Sequence, residues 1–592
     1  IRWVQDVGTI MAHLREIEQE DILIYHCQQI VNLLRDGRGV FAASRDWRVR
    51  SIIDAIRVHV ANANALKHLL SLVNRLCHMD ARYLRTFCLH GILPLILPIL
   101  QQLAHDMGEL QSEVISFVNR LCRSEDVAPI HMLLACDGIS ALCVAVRALA
   151  ELDVTAAAHL SRVLTSLISL LISKAMPAEL SASDIGDLLL HARIAPLLSL
   201  LLEKYGEACL SPPSSANGSD IGGHSQPTAA DRIYHGVCDV LMVVSRLFNE
   251  LVRRVETLQD HICESGLLGS TFKYLHRYPR KAVVLVIHGV RYLSKNPMSL
   301  DILDKAGIFS VSASLLSSPS AHAYREFVMT TVLRLCSSSL ERQNKMASNY
   351  PVIVSAAMEF AQLKEAPTLS KCGRLIVLGL SNGGPQCCRV LKEVNAFELV
   401  VKLISRERWC GMAIRALLEW TRTVPGDIVP SLTDDRSAGG WAELARPLLS
   451  LSTSSTTLDI YAATFYSLVR LYVPSFPRAC MGSGEATAEC IWVMLMDRYL
   501  NCSGLSNRDH PAVRQAAEGA TRPEVVAANR MNATTRLTFL NLLLLLQPHL
   551  RLTTAEMRRR IAHYYTEMVI SSKLDAALPV RKASLELSLA LE

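Results

Sequence analysis

The sequence predicts an all-α chain built by stacking helical repeats, and three observations carry that prediction. First, the phrase VNRLC stands at 73–77 and again at 118–122, with a near copy, VLRLC, at 332–336. Each copy closes an apolar stripe at helical spacing: Leu66, Leu69, Leu70, Val73, Leu76 and Cys77; Val114, Phe117, Val118, Leu121 and Cys122; Val328, Thr331, Val332, Leu335 and Cys336. Second, a break residue follows each stripe and opens another apolar run. Third, half the residues are apolar (50%) while only 6% are aromatic, which suits Leu, Ala and Val cores between helices better than strands.

The break residues are Gly91, Gly138, Arg193, Gly266, Gly307, Tyr350 and Asn395. Gly or Asn there suits a helix end that needs a positive φ; Arg and Tyr fit less well. They step along the chain by 47, 55, 73, 41, 43 and 45 residues. Repeats of ~40–47 residues are the period of two- and three-helix units, so the expected architecture is an armadillo/HEAT-like right-handed helical solenoid. The long step requires an insertion. Ser211 to Asp231, rich in Ser, Pro and Gly and poor in apolar residues, supplies it as a surface loop.

The elements follow in order. Two amphipathic helices, over 9–36 and 46–60, start the stack, so 1–60 reads as an N-terminal cap. Repeats fill 61–206 and 232–422 on either side of the loop at 207–231. From 423 to 592 the period fades: Pro425, Pro430 and Gly439–Gly440 interrupt the chain, and STSSTT follows at 452–457. Helical patterning resumes in LDIYAATFYSLVRLYV, ECIWVMLMDRYL and TRLTFLNLLLLL, a second polar stretch runs from Ser503 to about Asn529, and two closing helices end the chain.

Charge and cysteine usage narrow the functional classes. Net charge is +6 over 61 basic and 55 acidic residues, too balanced for a general nucleic-acid or membrane-surface binder. The longest apolar runs, from Val163 and from Phe539, fall short of the ~18–20 residues a membrane span needs, so a soluble, cytoplasmic protein is expected. The 17 cysteines sit mostly on apolar helical faces with no zinc spacing, which suits a reducing compartment and implies no metal or other cofactor. The sequons at Asn217, Asn501 and Asn532 then carry little weight. The chain starts at Ile1 without a leader and reads as a fragment of a longer protein.

One catalytic pattern needs weighing. GLSNG at 379–383 has the form of a nucleophile elbow, with Ser381 as nucleophile and Asp427 and His510 as nominal partners for a serine hydrolase. The repeat register gives a different role, because Ser381 precedes Asn395 by 14 residues, as Cys77 precedes Gly91 and Cys336 precedes Tyr350. Ser381 is then the buried end of a helix. Phosphate-cradling loops, HExxH and acidic metal loops are missing from the sequence, so this chain is not expected to catalyse a reaction.

The same register picks out a binding candidate. Arg75, Arg291 and Arg334 each precede their break residue by 16, and Arg120 shares the VNRLC context of Arg75. Equivalent positions of stacked repeats share a face, so these arginines, with Asn74 and Asn119 beside them, form a candidate row for acidic or phosphorylated peptides. The blander expectation is that each arginine covers apolar surface with its stem.

FCLHGILPLILPIL at 87–100, VISFVNRLCRS at 114–124 and MLLACDGISAL at 132–142 resemble the armadillo-repeat region of septation-initiation and MAP kinase kinase kinase epsilon-like Ser/Thr protein kinases. Cys88, Gly91, Cys122, Ser124, Ala135, Cys136, Gly138 and Ile139 carry the likeness. The resemblance implies a regulatory or targeting segment of a cell-division kinase, associated with the cytoskeleton or spindle pole. The kinase domain itself is absent from these residues. A generic armadillo adaptor of the nuclear-transport type is the alternative, and it would show an acidic groove.

Overall fold

The computed structural model describes residues 9–35, 46–101, 108–124, 126–152, 154–172, 182–209, 229–318, 321–337, 339–425, 441–451, 456–472, 492–493, 495–500, 531–547, 559, 562–566, 568 and 577–591. Most of the predicted loop at 207–231, the polar stretch from Ser503 to Asn529, and Asp427, His510, Asn217 and Asn501 lie outside them. Every regular element among the described residues is helical, as expected from the sequence. The chain divides into two compact units, Ile1–Thr331 and Val332–Glu592.

The first unit contains α1 (Glu20–Arg35), α2 (Asp46–Val58), α3 (Ala63–Met79), α4 (Arg82–Leu89), α5 (Leu93–Gln101) and α6 (Gly108–Cys122). It continues through α7 (Ala128–Ala135), α8 (Gly138–Leu152), α9 (Val154–Ile172), α10 (Ala182–His191), α11 (Ile194–Ala208) and α12 (Ala229–Arg254). Then come α13 (Thr257–Glu264), α14 (Leu267–Tyr274), α15 (Arg280–Leu293), α16 (Pro297–Lys305) and α17 (Ile308–Ser317). The next helix, α18 (Arg325–Ser337), contains the division between the units.

From α3 onward most helices of this unit pack on the third helix after them. The long helices α3, α6, α9, α12 and α15 form one ladder, and α5, α8, α11 and α14 form a second. The short helices pair as α4 with α7, α10 with α13 and α13 with α16. Contacts at a spacing of three define a repeat of three helices, short, middle and long, which is the armadillo arrangement of an α solenoid. The short helix meets the middle one at a sharp corner: 90° between α4 and α5, and 71° between α7 and α8.

Local chemistry makes those corners. Gly91, with φ +83°, turns α4 into α5, and Gly266 and Gly307 occupy the same place further on. At the next corner the left-handed residue is Asp137, not Gly138 as the sequence suggests. Gly138 instead begins α8, where an added Cβ would come within 2.4 Å of the Leu133 side chain. Arg193 does adopt the left-handed conformation, at φ +52° and without a capping bond from its side chain, before α11. Left-handed φ costs a side-chain-bearing residue roughly 1–2 kcal/mol, part of which glycine returns as entropy of the unfolded chain, so Arg193→Gly should stabilise the first unit by about 0.5–1 kcal/mol. A rise in urea midpoint checks this.

A few helix starts carry a polar side-chain cap, at Asn62, Asn296, Ser339 and Asn532. Asn62 Oδ1 accepts the backbone N–H groups of Asn64 and Ala65, both at 3.1 Å, to open α3. The helix expected over 9–36 breaks at Ile17, whose carbonyl accepts the buried His59 ring at 2.9 Å from beyond α2.

The second unit contains α19 (Leu340–Asn349), α20 (Pro351–Gln362), α21 (Pro367–Leu380), α22 (Pro385–Glu393), α23 (Ala396–Ile404) and α24 (Glu407–Thr423). Proline opens α20, α21 and α22, where its missing N–H costs nothing. The ladders recur: α19 packs on α22, α21 on α24 and α24 on α26, after α25 (Trp441–Ser450) and α26 (Thr456–Tyr472) are added. Asn395 makes the corner into α23 at φ +55°, whereas Tyr350 keeps a negative φ of −136° and leaves the start of α20 to Pro351. The unit continues with α27 (Ala533–Leu546) on α26 and α28 (Leu578–Leu591) on α27. Asn532, a sequon residue, is engaged in structure: its Oδ1 caps α27 through Thr535 N–H at 2.8 Å, and its Nδ2 donates to Asp459 at 2.6 Å.

Candidate functional site

The VNRLC phrases do the same structural work in α3 and α6. Val73, Leu76 and Cys77 in α3 and Val118, Leu121 and Cys122 in α6 are all buried, and in the second unit Val332, Leu335 and Cys336 are buried too. Burial pushes the Cys122 thiol up to about 12 and raises Cys77 further, with Cys88 adding to the latter, so both stay neutral and inert as small core packers.

The polar members of the phrase separate into structural and open groups. Asn74 is only 5% exposed, and its amide donates to the backbone carbonyl of Glu113 at 2.8 Å and to that residue's carboxylate at 2.7 Å. It therefore ties α3 to α6 and is not presented to a partner, a correction to its place in the predicted row. Lys67 and Glu109 make a second tie between the same helices.

Arg75 and Arg120 are half-buried, and the Nε atom of each is buried with no hydrogen-bond partner. Neither has a carboxylate at ion-pair distance among the described residues. Arg120 and Asn119 line a cleft of about 690 Å³ at the C-terminal ends of α3 and α6, walled on one side by α4. Arg82, Arg85, Arg123 and Asp126 share that lining. Arg82 is engaged by Asp80 at 3.2 Å and Arg85 by Asp126 at 3.6 Å, which leaves Arg120 and Arg123 as the uncompensated charges. The partly buried Arg120 guanidinium has given up water without gaining a counterion among the described residues, whereas Arg123 is exposed.

Further along the ladder, Arg291 of α15 stacks on the Phe327 ring at 5.4 Å, so part of its charge faces an aromatic surface. Arg334 is half-buried and belongs to the second unit. One arginine was missed. Val244, Leu247 and Phe248 are buried in α12 as the apolar residues of VNRLC are in α3, and Arg246 between them is exposed. The pattern Val-x-Arg-Leu-x marks this position, but Ser245 replaces Asn and Phe248 replaces Cys. On the Asn74 pattern, Asn249 Oδ1 meets the His288 ring at 2.9 Å and ties α12 to α15.

Ser381 has none of the features of a nucleophile. GLSNG begins in the last turn of a helix, α21, not after a strand; Ser381 is 0% exposed, and its hydroxyl donates back to the Val377 carbonyl at 3.4 Å. Among the described residues, no three His, Cys, Asp or Glu side chains are placed to hold a metal ion. No single helix among them is long and apolar enough to cross a membrane.

Comparison with known proteins adds a partial likeness. No protein-family profile matches the chain. A stretch of 141 residues is 26% identical to MAP3K epsilon protein kinase 1 of Brassica napus, covering 23% of this chain. The match spans 10% of that kinase's length. Among solved structures, a chain from work on the phosphorylation switch between cadherin and β-catenin is similar at 12% identity and a TM-score of 0.48, over 98% of each chain. A designed armadillo repeat protein is similar at 14% identity and a TM-score of 0.33, over 46% of this chain and 99% of its own. The armadillo architecture rests on the helix ladders, not on these scores.

Proposed function

We propose that this chain is a non-catalytic protein-binding scaffold, and that the long-helix ladder of its first unit receives an acidic segment of a protein partner. One observation carries the reading: Arg75 and Arg120 hold the same repeat position on adjacent long helices, and neither has a counterion among the described residues. A row of guanidinium groups held by packed helices favours carboxylates over basic signals, so the sign opposes an adaptor of the nuclear-transport type. The partial likeness to a MAP3K epsilon kinase supports a finer reading, a regulatory or targeting segment of a cell-division-associated Ser/Thr kinase working in the cytoplasm. An in-frame glycine-rich loop and HRD element in the coding sequence before Ile1 would test that part; a kinase-free reading frame would remove it.

The binding reading is tested by charge reversal. The double variant Arg75→Glu/Arg120→Glu should weaken binding of an Asp/Glu-rich peptide by roughly tenfold or more, while helix content by circular dichroism is unchanged. Unaltered affinity would remove the site.

A further inference from the structure

The second unit holds a larger and more strongly basic cleft, of about 960 Å³, that no sequence motif announces. Its walls are the C-terminal half of α20, the turn into α21, the N-terminal half of α21, and α23 with the start of α24. Six cations line it, Lys364, Lys371, Arg374, Lys402, Arg406 and Arg408, against one carboxylate, Glu398. Glu398 is already engaged by Lys402 at 3.5 Å. Five cations therefore have no acidic partner among the described residues.

Arg374 is the member that the fold positions. Its Nε donates to the Ala361 carbonyl at 3.0 Å, one of the carbonyls that the end of α20 leaves without a helical partner. Ser370 donates to the same oxygen at 3.1 Å. The guanidinium also lies over the ring of buried Trp409, at 5.7 Å. With Nε bonded and one face stacked, the two terminal nitrogens remain as a fixed fork of donors in a cleft-lining residue. Partial burial, and then the like charge of Arg406, lower the Arg374 pKa.

We propose that this cleft reads a phosphorylated serine or threonine on a protein partner, with the Arg374 fork on the phosphate and the surrounding lysines and arginines supplying the field. A phosphomonoester brings about −1.5 to −2 charges and three acceptor oxygens, which matches a fork among several uncompensated cations better than a single carboxylate does. Met358, Leu363, Leu399, Leu403 and Trp409 line the same walls and give apolar area for residues flanking the phosphate. The site rests on the reading of the chain as a protein-binding scaffold, but it lies in the other unit from Arg75 and Arg120.

The test uses the full chain and a fluorescent peptide pool with one fixed phosphoserine and degenerate flanks, beside the same pool carrying serine. The phosphorylated pool should bind roughly tenfold or more tightly. Arg374→Lys, which keeps the charge and loses the fork, should abolish most of that difference. Lys371→Ala/Arg406→Ala, at two exposed positions, should weaken the phosphorylated pool by about fivefold and flatten its salt dependence without altering helix content. Equal binding of the two pools, undiminished discrimination by both variants, or binding only to vesicles containing a phosphoinositide would overturn the proposal. Phosphate discrimination that survives Arg75→Glu/Arg120→Glu, together with loss of acidic-peptide binding, is the expected pattern for two separate sites. Loss of this site alone leaves the acidic-segment reading standing.

Discussion

Replacing Phe117 by alanine should cost the first unit about 3–5 kcal/mol, the usual loss for truncating a fully buried phenylalanine. Phe117 is 0% exposed in α6, a helix packed against both α3 and α9. Its removal leaves a cavity on the buried face of α6 that rigid neighbouring helices cannot close. In a repeat stack each unit is stabilised by its neighbours, so the loss falls on three long helices together. The lower urea midpoint should be accompanied by faster hydrogen exchange in α3, α6 and α9. A change under about 1 kcal/mol would mean that Phe117 is not at a helix interface.

The second large effect concerns a contact too close for any side chain. A Cβ on Gly373 would lie 2.4 Å from the Ala357 carbonyl oxygen and 2.7 Å from the Ala361 nitrogen. Both are backbone atoms of α20 and cannot swing aside. Gly373→Ala should therefore force α20 and α21 apart at a cost of about 1–3 kcal/mol, despite the better helix propensity of alanine. Arg374 follows directly and bonds the same Ala361, so phosphopeptide discrimination should fall with stability. Gly379→Ala is the control in the same helix. An added Cβ there meets nothing within 4 Å, and the change should stabilise by about 0.5–1 kcal/mol. Equal effects from the two substitutions would contradict the packing of α20 on α21.

The repeat architecture was legible because the same apolar positions must be filled in every unit; Cys77, Cys122 and Cys336 carry one register and are buried alike. The corners were legible where glycine marks them, as at Gly91. They were misplaced by one residue at Asp137, since an acidic residue can take a left-handed φ that the adjacent Gly138 advertises. The binding face was only partly legible. Sequence spacing grouped Asn74 with Arg75, but spacing does not reveal that the Asn74 amide meets Glu113 on the neighbouring helix. Arg246 was hidden by Phe248 in the place of cysteine. The Arg374 cleft left no trace in sequence order, because Lys364, Arg374, Lys402 and Trp409 come from three helices and a turn and meet only after folding.

The central claim is that successive long helices stack in register, and a double-mutant cycle on Asn74 and Glu113 tests it most directly. These residues are 39 apart in sequence and joined at 2.7 Å across α3 and α6. Asn74→Ala, Glu113→Ala and the double variant, compared by urea unfolding, should give a coupling of about 0.5–3 kcal/mol. Additive effects, with no coupling beyond about 0.3 kcal/mol, would contradict the stacked register.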